Sequence, residues 1–224
     1  MKYVLIFIFL LTQMSPAEAE MVKKPDQTKA VYVAMLHQKL TRKKPDFAAW
    51  VEDSPRFRNA ALHERVDMMK QKTAELKEVY GLLTPAEPIT LEIPVRMSGY
   101  SAREGGFLVP TFSNLTFFSY EYMGKNYAII PNKIEEHQWL KSPPYLAPSI
   151  MEATDNGHNA KILMTLTPHS ADPYLVLLKG KKYYLLMTEV SKMEIWSKDG
   201  TGTVWDTSLN KPASAKNKIL NLYQ

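Results

Sequence analysis

The hydrophobic pattern of the chain changes period at Thr84, and that change limits the fold more than any other feature of the sequence. Before it, Leu62, Val66, Met69, Thr73, Leu76, Tyr80 and Leu83 recur at helical spacing. After it, Ile89, Leu91, Ile93, Val95 and Met97 alternate with Thr90, Glu92, Pro94 and Arg96, the period of a half-buried strand. Helices first and strands after is the pattern of an α+β protein. The expected architecture is a set of N-terminal helices packed on a C-terminal antiparallel β-sheet or two-layer β domain. The expected divisions are a helical region at 20–84, an antiparallel β region at 85–206 and a polar tail at 207–224.

Within the helical region, residues 29–40 read as a first helix, with Thr28 as its N-cap and a basic run at 41–44 suited to its C-terminal dipole. A short helical piece follows Pro45. The longest helix is expected to start at Ser54-Pro55, where Ser caps the free amides and Pro occupies the first helical position, and to stop at Gly81. Its apolar stripe is expected to pack within the chain rather than join two copies, because it spans few heptads and includes Thr73.

In the β region, Pro94 marks a free edge or a bulge, since proline donates nothing to a ladder. Gly124-Lys125 is expected to turn a hairpin between 115–122 and 126–130. Residues 161–167, 174–178 and 183–190 read as further strands, the last two joined across Lys179-Gly180-Lys181-Lys182. A phase shift near Ser191-Lys192 suggests a bulge. Lys198-Asp199-Gly200 is expected to turn the chain into a strand at 203–205.

The N-terminus has the form of an export signal, assigned to residues 1–19. Lys2 supplies positive charge, residues 3–11 form an unbroken apolar run, Pro16 breaks any helix, and Ala17-Glu18-Ala19 is a small-residue cleavage pattern. Cleavage after Ala19 would leave Glu20 as the first residue. The run is well short of the roughly 20 apolar residues a membrane-spanning helix needs. The expected location is the periplasm or the extracellular medium, with no transmembrane segment after cleavage. Were the source eukaryotic, Asn114-Leu115-Thr116 would be a glycan acceptor.

The chain has no cysteine, so disulfides, thiolate metal sites and a cysteine nucleophile are excluded. Its net charge of +5 is concentrated in the first third of the mature sequence and suits an anionic partner. His63-Glu64 lacks the second histidine of a zinc-protease helix, and no phosphate-binding glycine loop or serine elbow occurs. His158 and His169 flank a strand and are the pair to watch for convergence, with Asp155 or Asp172 as partners. Aromatic residues crowd the segment 107–127, where strand alternation sends one set to the core and leaves the other to face a ligand or solvent. Lys179, Lys181 and Lys182 are read as a solvated turn. No cofactor and no metal are expected. The expected function is that of a non-enzymatic envelope or secreted binding protein; the alternative is an extracytoplasmic hydrolase acting on cell-wall or extracellular material. Expected partners are another envelope protein or an anionic cell-surface component, and not nucleic acid, since the basicity is weak and spread out.

Overall fold

A computed structural model describes residues 30–197 and 202–207. The export signal, Thr28, the turn at 198–200 and the tail beyond Thr207 lie outside the described residues. The helical part comprises α1 (Ala30–Leu40), α2 (Phe47–Glu52), α3 (Pro55–Arg58) and α4 (Leu62–Leu82). Helix α1 is buried over six consecutive residues from Tyr32 to His37. It lies on the sheet, and the Lys39 ammonium donates to the Tyr80 carbonyl (2.8 Å) near the end of α4, where that helix's carbonyls lack partners. Asp46 caps α2 by accepting from the Ala49 amide, and Phe47 and Trp50 pack edge-on against each other and against Tyr80 and Tyr122 respectively.

The expected long helix from Ser54 is two helices. Ser54 caps α3 through the Phe57 amide, but the chain breaks at 59–61 and restarts at Leu62, where the Glu64 carboxylate accepts from the Ala61 amide. Gly81 does not stop α4, which runs on to Leu82 before Leu83 turns extended. The apolar stripe also fails as a continuous packing face. Leu76, Val79 and Tyr80 meet the core, whereas Leu62 and Val66 are 81% and 75% exposed. The reason is length: α4 rises about 1.5 Å per residue, so its 21 residues overrun the layer that covers their second half.

The strands are β1 (Ile89–Val95), β2 (Gly106–Leu108), β3 (Phe118–Tyr122), β4 (Lys125–Asn132), β5 (Trp139–Lys141), β6 (Ala160–Leu178), β7 (Lys181–Trp196) and β8 (Thr203–Asp206), with α5 (Ala147–Ala153) ahead of β6. The main sheet runs β1-β6-β7-β4-β3, and β8 pairs with the far half of β7. Strand β1 lies at an edge, as Pro94 requires. Strands β2 and β5 form a separate two-stranded ribbon. It is tight: a Cβ on Gly106 would run into the Leu140 carbonyl oxygen.

The sheet is mixed rather than purely antiparallel, because β4 runs parallel to β7 from Tyr127↔Tyr184 to Asn132↔Glu189. Parallel neighbours need a crossover: residues 133–159, with β5 and α5, carry the chain past β7, and β6 then runs back antiparallel before β7 starts. The segments 161–167 and 174–178 belong to one long strand, β6, interrupted by register shifts that leave His169 and the stretch 172–174 unpaired with β7. Pro168 and Pro173 stand at those irregularities. On β7 the expected bulge is present, with Ser191 as the extra residue, its hydroxyl donating to the Thr165 carbonyl. No described helix is long and apolar enough to cross a membrane.

Candidate functional site

Ala17, Ala19 and Glu20 lie outside the described residues. His158 and His169 do not converge. The first precedes β6 and the second sits midway along it, roughly 30 Å apart along extended backbone, and both side chains are exposed. Their acidic neighbours are engaged locally: Asp155 accepts from Asn159, and Asp172 accepts from the Tyr174 amide. Among the described residues no three His, Asp or Glu side chains are placed to hold one metal ion. A wide polar crevice of about 530 Å³ follows α3 and α4, lined by Arg56, Asn59, Glu64, Asp67, Gln71 and Lys72, but its charges are of both signs and none of these residues is buried.

The buried histidine is His37. Its Nε2 lies 2.7 Å from the Asp172 carbonyl oxygen, and its ring contacts Tyr127 and Tyr184. Burial holds this imidazole below its ordinary range, with the Asp172 carbonyl opposing. Burial likewise pushes the Tyr127 phenol up to about 12, with Tyr184 adding to the effect and Gln38 opposing it. One residue along, Lys43 donates to the Pro173 carbonyl, so the end of α1 and the chain just beyond it hold the β6 arch at 172–174 through two backbone oxygens.

On the opposite face of the sheet lies an apolar groove of about 390 Å³. Tyr184 faces α1, so strand alternation turns Tyr183, Leu185 and Met187 the other way. Ile130 pairs with Met187 across the parallel ladder and extends the same floor. One wall is Leu177, Leu178 and Lys179 at the end of β6; the other is residues 114–117. Hydroxyls shape that second wall. The Ser113 amide donates to Thr116 Oγ1, the Thr116 hydroxyl donates to the Thr111 carbonyl, and the Thr116 amide returns to the Ser113 carbonyl. This compact turn throws Leu115 outward, 69% exposed, and sets Phe117 edge-on to Tyr183 at 5.4 Å. On the facing wall Leu178 shares the face of Lys181 and Tyr183, while Leu177, 66% exposed, shares that of Lys182 and Tyr184. An exposed apolar concavity of this kind is a standard form of ligand site.

Of the aromatic segment, Phe107, Phe112 and Tyr127 are buried, Tyr122 packs on Trp50, and Phe117 lines the groove. The lysine turn is more than a solvated loop, since the Lys179 ammonium sits 5.2 Å from the centre of the Phe117 ring at the groove's edge. Sequence reading missed the groove because its walls come from segments some 60 residues apart. Its one local sign was the run of uncompensated Leu and Lys at 175–182.

Comparison of the chain with protein families, with curated proteins and with solved structures finds no match.

Proposed function

We propose that the protein is an exported, non-enzymatic binding protein of the cell envelope or the surrounding medium, and that the groove between residues 114–117 and the ends of β6 and β7 is its binding surface. The observation that carries this reading is the apolar floor of Ile130, Leu178, Leu185 and Met187, with Leu115, 69% exposed, standing beside it. Leaving such side chains in water forgoes about 25 cal/mol for each Å² of apolar surface, a loss that a bound apolar group recovers. The export part rests on the apolar run and the Ala17-Glu18-Ala19 pattern.

The uncharged fluorescent probe N-phenyl-1-naphthylamine is expected to bind the purified full chain. Leu178→Glu is expected to weaken that binding at least about tenfold, by placing a charge against the apolar wall. Leu62→Glu, on the exposed start of α4, should leave it unchanged. Equal loss in both variants, or in neither, contradicts the assignment. For export, the protein recovered outside the cytoplasm is expected to begin at Glu20; an intact chain from Met1 among cytosolic proteins contradicts it.

A further inference from the structure

We propose that the hairpin end of the sheet docks end-on to an anionic phospholipid surface. Leu177 enters the interface, and Lys125, Lys179, Lys181 and Lys182 meet the phosphate head groups around it. The docking end is independent of the groove and stands whether or not the groove holds a ligand.

The argument starts from topology. Two tight turns, Met123-Gly124 and Lys179-Gly180, each place both central residues at positive φ, the geometry of two-residue hairpins. Because β4 runs parallel to β7 with Tyr127 opposite Tyr184, both turns fall at the same end of the sheet. The Asn126 side-chain amide donates to the Lys182 carbonyl and ties them together. Carried two residues further toward the turns, the same register sets Lys125 level with Lys182. The row Leu177, Lys182, Lys125 and Tyr122 then crosses the ends of β6, β7, β4 and β3, about 14 Å wide at the usual strand spacing. Leu178 and Lys181 form the next row, on the opposite face.

A pocket reads one face of a sheet, whereas a bilayer met end-on reads both. What counts is distance from the turns, and all four lysines are exposed and within two residues of Gly124 or Gly180. Among the described residues none of them is in an ion pair. The register brings Glu121 to this end. Glu52 follows Trp50, which packs on Tyr122, and Asp53 is taken by Arg58. Two free carboxylates against four ammonium groups leave the end cationic.

Apolar surface accompanies the charge. Leu177, 66% exposed, stands two residues before the turn, about 7 Å along the strand, within the about 5–10 Å that interfacial side chains reach into a bilayer boundary. Leu115, 69% exposed, lies beside Lys179 on the other face. Leucines on both faces of one blunt, lysine-rich end suit a flat anionic surface better than the shaped site of a protein partner.

The test sediments the protein beginning at Glu20, free of the apolar run at 3–11, with vesicles of phosphatidylcholine alone or mixed with phosphatidylglycerol. Binding is expected to the mixed vesicles only, and to weaken as salt rises. At roughly fivefold per lysine, the variant carrying K125Q, K179Q, K181Q and K182Q should lose at least about a hundredfold in partitioning. Leu177→Glu should lose at least about tenfold. A control carrying R42Q, K44Q, K70Q and K77Q removes the same charge from exposed positions in the helical part and should fall far less. Equal loss in the two fourfold variants assigns binding to overall charge and overturns the proposal. So does equal binding to both kinds of vesicle, binding indifferent to Leu177→Glu, or sedimentation with neither. A concentration-dependent dimer abolished by Leu177→Glu, without vesicle binding, overturns it in favour of a second copy of the chain.

Discussion

Replacing Trp205 with alanine is expected to lower the unfolding free energy by about 3–5 kcal/mol, the range for deleting a large buried aromatic side chain. Trp205 stands on the four-residue strand β8, whose one strand partner among the described residues is β7. A strand that short gains little from its ladder. What holds it is the indole, 1% exposed, whose N–H donates to the Lys141 carbonyl of β5 at 2.8 Å. One side chain thereby joins the far half of β7 to the two-stranded ribbon. Trp205→Phe retains most of the ring but leaves that carbonyl without its donor, and about 1–2 kcal/mol should be lost. Urea unfolding followed by circular dichroism measures both. A cost below about 1 kcal/mol for the alanine variant would mean that β8 contributes little to the fold.

How much of this was legible beforehand depends on how local the signal was. The strand β1 could be read directly, because Ile89 to Val95 alternate and Pro94 announces an edge, and β1 is an edge strand. The bulge at Ser191 was legible as a phase shift, since an extra residue inverts the alternation of everything after it. The parallel pairing of β4 with β7 was not. Strands joined by a turn leave a signature at the turn, whereas Tyr127 and Tyr184 meet only because the intervening chain crosses over. The stripe on α4 was real as a pattern and wrong as a packing face at Leu62 and Val66, because periodicity states which side is apolar and not whether anything covers it. The groove shares this origin. Phe117, Ile130, Leu178 and Met187 each look like ordinary strand residues, and Ile130 and Met187 become neighbours through that same parallel ladder.

The second large effect is expected at His37. Its ring fills the space between α1 and the tyrosines Tyr127 and Tyr184, and it hydrogen-bonds the Asp172 carbonyl. His37→Ala should therefore cost about 2–4 kcal/mol, combining a cavity with a lost hydrogen bond. The wild-type protein should also lose stability in mild acid. Unfolded histidine takes its proton near pH 6.5, while buried His37 takes it only at lower pH, so between those values the unfolded state binds more protons. Stability is fully present above 6.5 and declines by about 1.4 kcal/mol per pH unit until the native value is reached. Asp172 favours the charged ring and Lys43 opposes it, the second reinforcing burial. His137, also held low by burial, acts in the same window, so His37→Phe should remove part of the decline and the double variant His37→Phe with His137→Asn nearly all of it. Denaturation midpoints between pH 7.5 and about 5 decide this; a slope unaltered in His37→Phe would show that the folded protein protonates the ring as readily as the unfolded chain does. Asp172 belongs to the arch that precedes Tyr174, and the same strand then delivers Leu177, Leu178 and Lys179 to the groove wall. The Asp172 carbonyl favours the protonated ring, so the loss in acid comes from desolvating the imidazole and not from the contact that fixes where that wall begins.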